Sequence, residues 1–218
     1  VQGEQIHQAM AILAEAVQDW VTPAVTIVAT RDRDPFKVLV SCILSLRTRD
    51  QTTAQASERL FALADTPGKL ARLSPGEVEQ AIYPVGFYRN KALQILEISR
   101  QLQQLHGGQV PDEMDALLQF KGVGRKTANL VLTLGFGKPG ICVDIHVHRI
   151  CNRWGYVRTK SPAETEQALR ATLPQQYWIP INDLLVCFGQ NQCTPVSPRC
   201  TSCPLELLCD RVGVVKYR

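Results

Sequence analysis

Four of the eight cysteines fall within seventeen residues, in the order Cys193-x6-Cys200-x2-Cys203-x5-Cys209. Thiolates this close along the chain can surround one compact metal centre with little loop-closure cost. Structural zinc sites usually pair two C-x2-C knuckles, whereas this segment has one such pair and two longer gaps. A four-iron, four-sulfur (4Fe-4S) cluster accepts unequal spacing, because each cysteine takes a different iron corner. The spacing therefore favours the cluster and leaves zinc as its rival. Cys42, Cys142, Cys151 and Cys187 are scattered among apolar neighbours and read as core thiols.

A second chemical feature is the run Phe120-Lys121-Gly122-Val123-Gly124-Arg125-Lys126-Thr127-Ala128-Asn129. It follows one predicted helix and opens another. Two glycines around an apolar residue permit a tight turn and close approach of another molecule to the backbone. The N–H groups at the start of the following helix suit a phosphate oxygen. A P-loop requires glycine directly before Lys-Ser/Thr, but Arg125 stands there. A dinucleotide fingerprint requires a third glycine and a preceding strand. What remains is a helix-hairpin-helix, a grip on a DNA backbone that ignores sequence, with an ordinary turn between helices as the alternative.

Lys126 falls in the first turn of the helix after the hairpin, where the helix dipole disfavours a cation, which suits an amine nucleophile. Asp144, in Val143-Asp144-Ile145-His146-Val147-His148-Arg149, precedes an apolar-periodic segment and has the position of an N-cap. His146 and His148 are i,i+2 on that helix, so they point apart and make poor joint metal ligands.

These residues are positioned by helices. Ile6, Met10, Leu13 and Val17 recur at helical spacing. Ser74-Pro75-Gly76-Glu77 and Ser161-Pro162-Ala163-Glu164 are capping boxes with proline at the first helical position. Asp34-Pro35 and Pro111-Asp112 mark two further starts, before helices expected over 36–46 and 113–120. An amphipathic stretch over 89–106 is closed by Gly107-Gly108. Only Ala24–Ala29 tempts as a strand, so the expected class is all-α. The clearest break is Gly137-Lys138-Pro139-Gly140, a candidate hinge or domain edge. The 218 residues carry a formal net charge of +4, and the sequence pI near 8.7 mildly favours a polyanionic partner. No apolar run is long enough for a bilayer and no signal-peptide layout is visible, so a soluble, intracellular (cytoplasmic or nucleoid-associated) chain is expected, a monomer with no membrane partner.

Taken together, Gly122–Asn129 (GVGRKTAN), Val143–Arg149 (VDIHVHR), the cysteine loop and Gly86-Phe87-Tyr88-Arg89-Asn90-Lys91-Ala92 resemble the endonuclease III family of helix-hairpin-helix DNA glycosylases. Their order and separations fit over nearly the whole chain. The resemblance implies a two-domain fold: a six-helix domain over 28–138, and a cluster domain from 1–27 and 139–218. It implies a 4Fe-4S cluster rather than zinc. The implied partner is double-stranded DNA with damaged bases or abasic sites. The implied activity is excision of an oxidised pyrimidine, then strand cleavage by β-elimination. Lys126 would be the nucleophile and Asp144 its carboxylate partner. Lys121, Gly122, Val123, Gly124, Arg125 and Thr127 would grip the DNA backbone, and Arg199 in the cysteine loop would add one cation.

Arg47, in Ile43–Asp50, falls where the family fills the gap left by a flipped base and where glutamine is common. Phe87 falls where the family uses an apolar wedge, with core packing as its alternative role. Lys121 replaces a proline often found at the hairpin. An adenine-excising mismatch enzyme would carry glutamate where Cys42 stands. A thymine- or uracil-mismatch enzyme is the stronger rival given Arg47, and a non-catalytic DNA-binding module would have no need of Lys126 and Asp144.

Overall fold

The structure, a computed structural model, describes residues 1–20 and 23–218. These residues form helices and connecting turns, with no strand among them, in agreement with the all-α class expected from sequence. They divide into two compact units, Val1–Pro23 with Pro139–Arg218, and Ala24–Lys138. No described helix is long and apolar enough to cross a membrane.

The first unit opens with α1 (Gln5–Ala16), which buries Ile6, Ala9, Met10 and Leu13 on one face. The second unit holds α2 (Ala24–Asp32), α3 (Pro35–Ser45), α4 (Asp50–Leu63), α5 (Pro67–Leu70), α6 (Pro75–Ile82), α7 (Tyr88–Leu105), α8 (Met114–Leu118) and α9 (Arg125–Leu130). α9 runs on as wider π turns over Val131–Gly135. The first unit resumes with α10 (Ile145–Arg153), α11 (Pro162–Thr172) and α12 (Pro180–Asn191).

In the second unit α3 is the centre. It buries Phe36 and every residue from Val38 to Leu44, and packs against α2, α4, α7 and α9. A helix that is apolar all round has no solvent face, so its ends must find partners inside the protein. Its start is settled locally: Asp34 accepts from the Phe36 N–H at 2.8 Å, with Pro35 in the first turn. In the first unit Ile6, Leu13, Val147, Ile150, Trp154 and Phe188 form the core around which α1, α10 and α12 pack.

Ala24–Ala29, the tempting strand, is the body of α2. Its run of Val25, Thr26, Ile27 and Val28 favours a strand locally. Packing on α3 and α4 overrides that preference, and the Asp50 carboxylate caps the Ala24 N–H at 2.8 Å. The box at Ser74 is complete, whereas Glu164 of the second reaches back to the Lys160 N–H at 3.0 Å. α7 ends as predicted: Gly107 and Gly108 are left-handed, and the Gly108 N–H donates to the Leu102 carbonyl at 2.8 Å.

Gly86, just before α7, is fixed by space. A Cβ there would lie 2.6 Å from the Arg47 carbonyl oxygen, whereas one at Gly76, within α6, meets nothing within 4 Å. Gly86→Ala should therefore lower stability by about 1–3 kcal/mol in urea denaturation. Gly76→Ala should be neutral or stabilising by up to about 1 kcal/mol.

Candidate functional site

Within the Ala24–Lys138 unit, α8, the turn at Lys121–Gly124 and α9 form the helix-hairpin-helix. Gly122 is left-handed at φ 80°, and a Cβ there would lie 2.5 Å from Gln94 Nε2. That same nitrogen donates to the Lys121 carbonyl at 2.9 Å, so α7 braces the turn from behind. Gly124 is the N-cap of α9. Lys121, Gly122, Gly124, Arg125 and Lys126 are exposed, whereas Val123 and Thr127 turn inward. Val123 and Thr127 thus hold the hairpin in shape, while the surrounding cations and backbone face outward. Lys126 lies in the first turn of α9, within Coulombic reach of Cys42 on α3. Burial pushes the Cys42 thiol up to about 12, the Lys126 charge offsetting this only in part, so Cys42 stays a neutral thiol.

Two more predicted residues in this unit meet. Arg47, between α3 and α4, and Phe87, the N-cap of α7, are both exposed and both left-handed, at φ 53° and 59°. The Arg47 guanidinium lies 5.7 Å from the Phe87 ring centroid. Phe87 is 60% exposed, which excludes core packing as its role. Under them is a residue to which sequence reading gave no task. Lys91 is 5% exposed, and its ammonium donates to the carbonyls of Leu44 and Leu46 and to Thr48 Oγ1, at 2.9, 2.5 and 3.2 Å. Burial pulls its pKa down to about 8. The available signal was its helical spacing with Ile95, Ile98 and Leu102, which placed it on the buried stripe of α7.

The other unit holds Asp144 and the cysteine loop. Asp144 is the N-cap of α10, 9% exposed, with Oδ1 accepting from the His146 and Val147 N–H groups at 2.8 and 2.9 Å. His148 bonds Thr165 Oγ1 and His146 bonds Arg149, so the two rings do part ways. Arg149 and Arg153, one turn apart on α10, reach the cysteine loop. Arg149 donates to the Gly189 and Cys193 carbonyls, and Arg153 to Cys193 Sγ at 3.3 Å and the Thr194 and Pro195 carbonyls. Sequence reading missed both, although their spacing from the Asp144 cap put them on one face.

Cys193, Cys200, Cys203 and Cys209 line a single hollow, floored by Trp154 and Phe188, with about 380 Å³ of empty space including its open mouth. Burial raises the thiols of Cys200, Cys203 and Cys209, Cys203 to about 11. Among the described residues, no three His, Cys, Asp or Glu side chains converge closely enough to hold one metal ion. Arg199 is exposed at the rim, between Gln192 and the first 3-10 turn of the loop.

Residues 40–175 match the HhH-GPD superfamily of base excision DNA repair proteins. The chain is 49% identical to endonuclease III of Thermotoga maritima over 83% of this chain and 84% of that protein. It is 42% identical to endonuclease III homolog 1, chloroplastic, of Arabidopsis thaliana over 80% of this chain, although it spans only about half (48%) of that relative's length. Among solved structures, a trapped covalent intermediate of endonuclease III with DNA superposes with a TM-score of 0.83, at 34% identity and 95% coverage of both chains.

Because Asp144 is a cap, its charge and its capping role are separable. Asp144→Ala should cost about 1 kcal/mol of unfolding free energy, and Asp144→Asn clearly less, since asparagine caps as well as aspartate. Thermal or urea melts of the two variants check this.

Proposed function

The chain belongs to the endonuclease III family of the HhH-GPD base excision DNA repair superfamily, and from that membership we propose a DNA glycosylase with abasic-site lyase activity, acting on duplex DNA that carries oxidised pyrimidines or abasic sites. The observation that carries the reading is Lys126, exposed in the first turn after the glycine hairpin of a chain in this family. In this reading the Ala24–Lys138 unit is the hairpin-bearing domain, and Val1–Pro23 with Pro139–Arg218 is the cluster domain.

A base inside a duplex is inaccessible, so the nucleotide must be flipped out. Breaking the glycosidic bond builds positive charge on the sugar, which the Asp144 carboxylate stabilises. The Lys126 amine attacks C1′, the base departs with the bonding electrons and takes up a proton, and the sugar ring opens to a protonated Schiff base. That cation accepts the electrons left when the C2′ proton is removed, and the C3′–O bond breaks with release of the 3′ phosphate. Water then hydrolyses the imine and frees Lys126. Exposed hairpin residues hold the backbone meanwhile: Lys121 and Arg125 by charge, Gly122 and Gly124 by letting phosphate approach.

The cysteine hollow fits a 4Fe-4S cluster. It is lined by four thiol donors, whose unequal spacing along the chain suits separate iron corners better than the paired knuckles of a zinc site. Arg149 and Arg153 bring positive charge beside an anionic centre. Cys193, Cys200, Cys203 and Cys209 would hold the cluster, which would then give a rigid fold to the loop that presents Arg199 and offer no open coordination position.

One observation favours a second reading, a glycosylase for G·T or G·U mismatches: arginine at position 47, where glutamine is usual, forks onto an opposite base differently.

Borohydride should trap the wild-type chain on abasic-site DNA, and Lys126→Ala should trap none. Asp144→Asn, though folded, should lose about 10²–10³-fold in base release. Incision of thymine-glycol, G·T and G·U duplexes separates the two substrate readings. Undiminished trapping by Lys126→Ala would remove the nucleophile from this scheme. Purified protein should show a broad absorption band at the visible edge, with iron and acid-labile sulfide in equal amounts. Stoichiometric zinc without that band would refute the cluster.

A further inference from the structure

Arg47 and Phe87 stand forty residues apart in sequence, yet their two loops are laced together. The Arg47 carbonyl occupies the space a side chain at Gly86 would need, and the Gly86 N–H donates to Thr48 Oγ1 at 3.2 Å. The guanidinium of Arg47 lies over the Phe87 ring. Lys91 sits beneath, its ammonium shared among Leu44, Leu46 and Thr48. On the far side of the Phe87 loop, Arg59 donates to the Ala81 carbonyl at 2.8 Å and to the Tyr83 carbonyl.

We propose that Lys91 is a positioning residue, whose buried ammonium locks the Arg47 and Phe87 loops into one rigid pair that enters the duplex as a unit and reads the base left opposite the lesion. This deepens the glycosylase reading and rests on it. The grounds are geometric. The carbonyls of Leu44 and Leu46 lie at the end of the buried helix α3, beyond its own hydrogen-bond ladder; Thr48 Oγ1 donates to Leu46 at 3.3 Å, and Lys91 is the donor that reaches both carbonyls. Thr48 Oγ1 needs to stay available to Gly86 while also facing Lys91. A lysine ammonium has three donors on one atom, and here three acceptors converge on it. Take it away and the turn carrying Arg47 loses its anchor, while Arg47 and Phe87 are both in a backbone conformation that non-glycine residues leave readily. A pair held in this way enters the helix without first paying ordering entropy, which favours a defined contact to the opposite base over a diffuse one.

The test places 2-aminopurine opposite a tetrahydrofuran abasic analogue and follows its fluorescence on binding. Arg47→Ala sets the signature of a missing reading residue. Lys91→Met should reproduce that signature and weaken binding of the duplex about tenfold. Its rate of strand cleavage on abasic DNA under saturating enzyme should stay within about twofold of wild type, because the chemistry at Lys126 is untouched. A purely structural lysine would lower the melting temperature and leave the fluorescence signature as in wild type. Thr48→Val, nearly isosteric, removes one acceptor of the same ammonium and should shift signature and affinity in the same direction by less; it decides the matter if Lys91→Met does not fold. Wild-type signature and affinity in folded Lys91→Met, or in Thr48→Val where Lys91→Met does not fold, would overturn the proposal. A wild-type chain that neither binds the analogue nor is trapped on abasic DNA would instead sink the glycosylase reading, and no variant is needed to see it.

Discussion

A helix that ends inside a protein leaves backbone groups that water cannot reach, and in an all-helical chain of short helices those ends are many. In this protein the side chains that settle the ends are, to a large extent, the side chains of the candidate site. Asp144 closes the start of α10. Lys91 closes the end of α3, and Arg59 the end of α6. Capping is therefore both what holds each unit together and what aims its polar groups. Because α10 starts on the Asp144 carboxylate, the register of that helix is fixed, and with it the positions of Arg149 and Arg153 one and two turns further on, where they hold the cysteine loop. A shift of α10 by one residue would turn both guanidinium groups by about 100° away from their carbonyls.

Features whose cause is local were legible in the sequence. Asp34-Pro35, Ser74–Glu77 and Asp144 each cap a helix that begins where they stand, because donor and acceptor lie within three residues. Gly107-Gly108 stops α7 for the same reason. Features caused by distant partners were not legible. Ala24–Ala29 has the composition of a strand and becomes a helix because α3 and α4 receive it and Asp50 caps it from twenty-six residues away. Lys91 reads as an unremarkable cation until the carbonyls of Leu44 and Leu46 are in place beside it. Glu164 shows an intermediate case: the box was recognised, yet the carboxylate chose the Lys160 N–H over that of Ser161.

The cysteine loop divides along the same line. The four candidate ligands stand out by their crowding, four of the eight cysteines within seventeen residues. Their spacing alone left the metal open, because it limits reach and does not fix separation; the cluster was implied by the resemblance that the hairpin and the Asp144 segment carry. In the folded unit the four cysteines line one hollow.

The strain at Arg47 and Phe87 shows why a buried charge is tolerated at position 91. A non-glycine residue in the left-handed region costs roughly 1–2 kcal/mol, and two of them stand here side by side. Burying an ammonium has its own cost, visible in a pKa pulled down to about 8. A neutral donor would avoid that second cost but could not satisfy three acceptors from one atom, and an unsatisfied buried carbonyl costs about 1–3 kcal/mol. The charged donor is thus the smaller penalty among those available at the end of a helix with no solvent face. The outcome is two exposed side chains, one cationic and one aromatic, standing in conformations they would abandon if the ground beneath them were less firmly bonded.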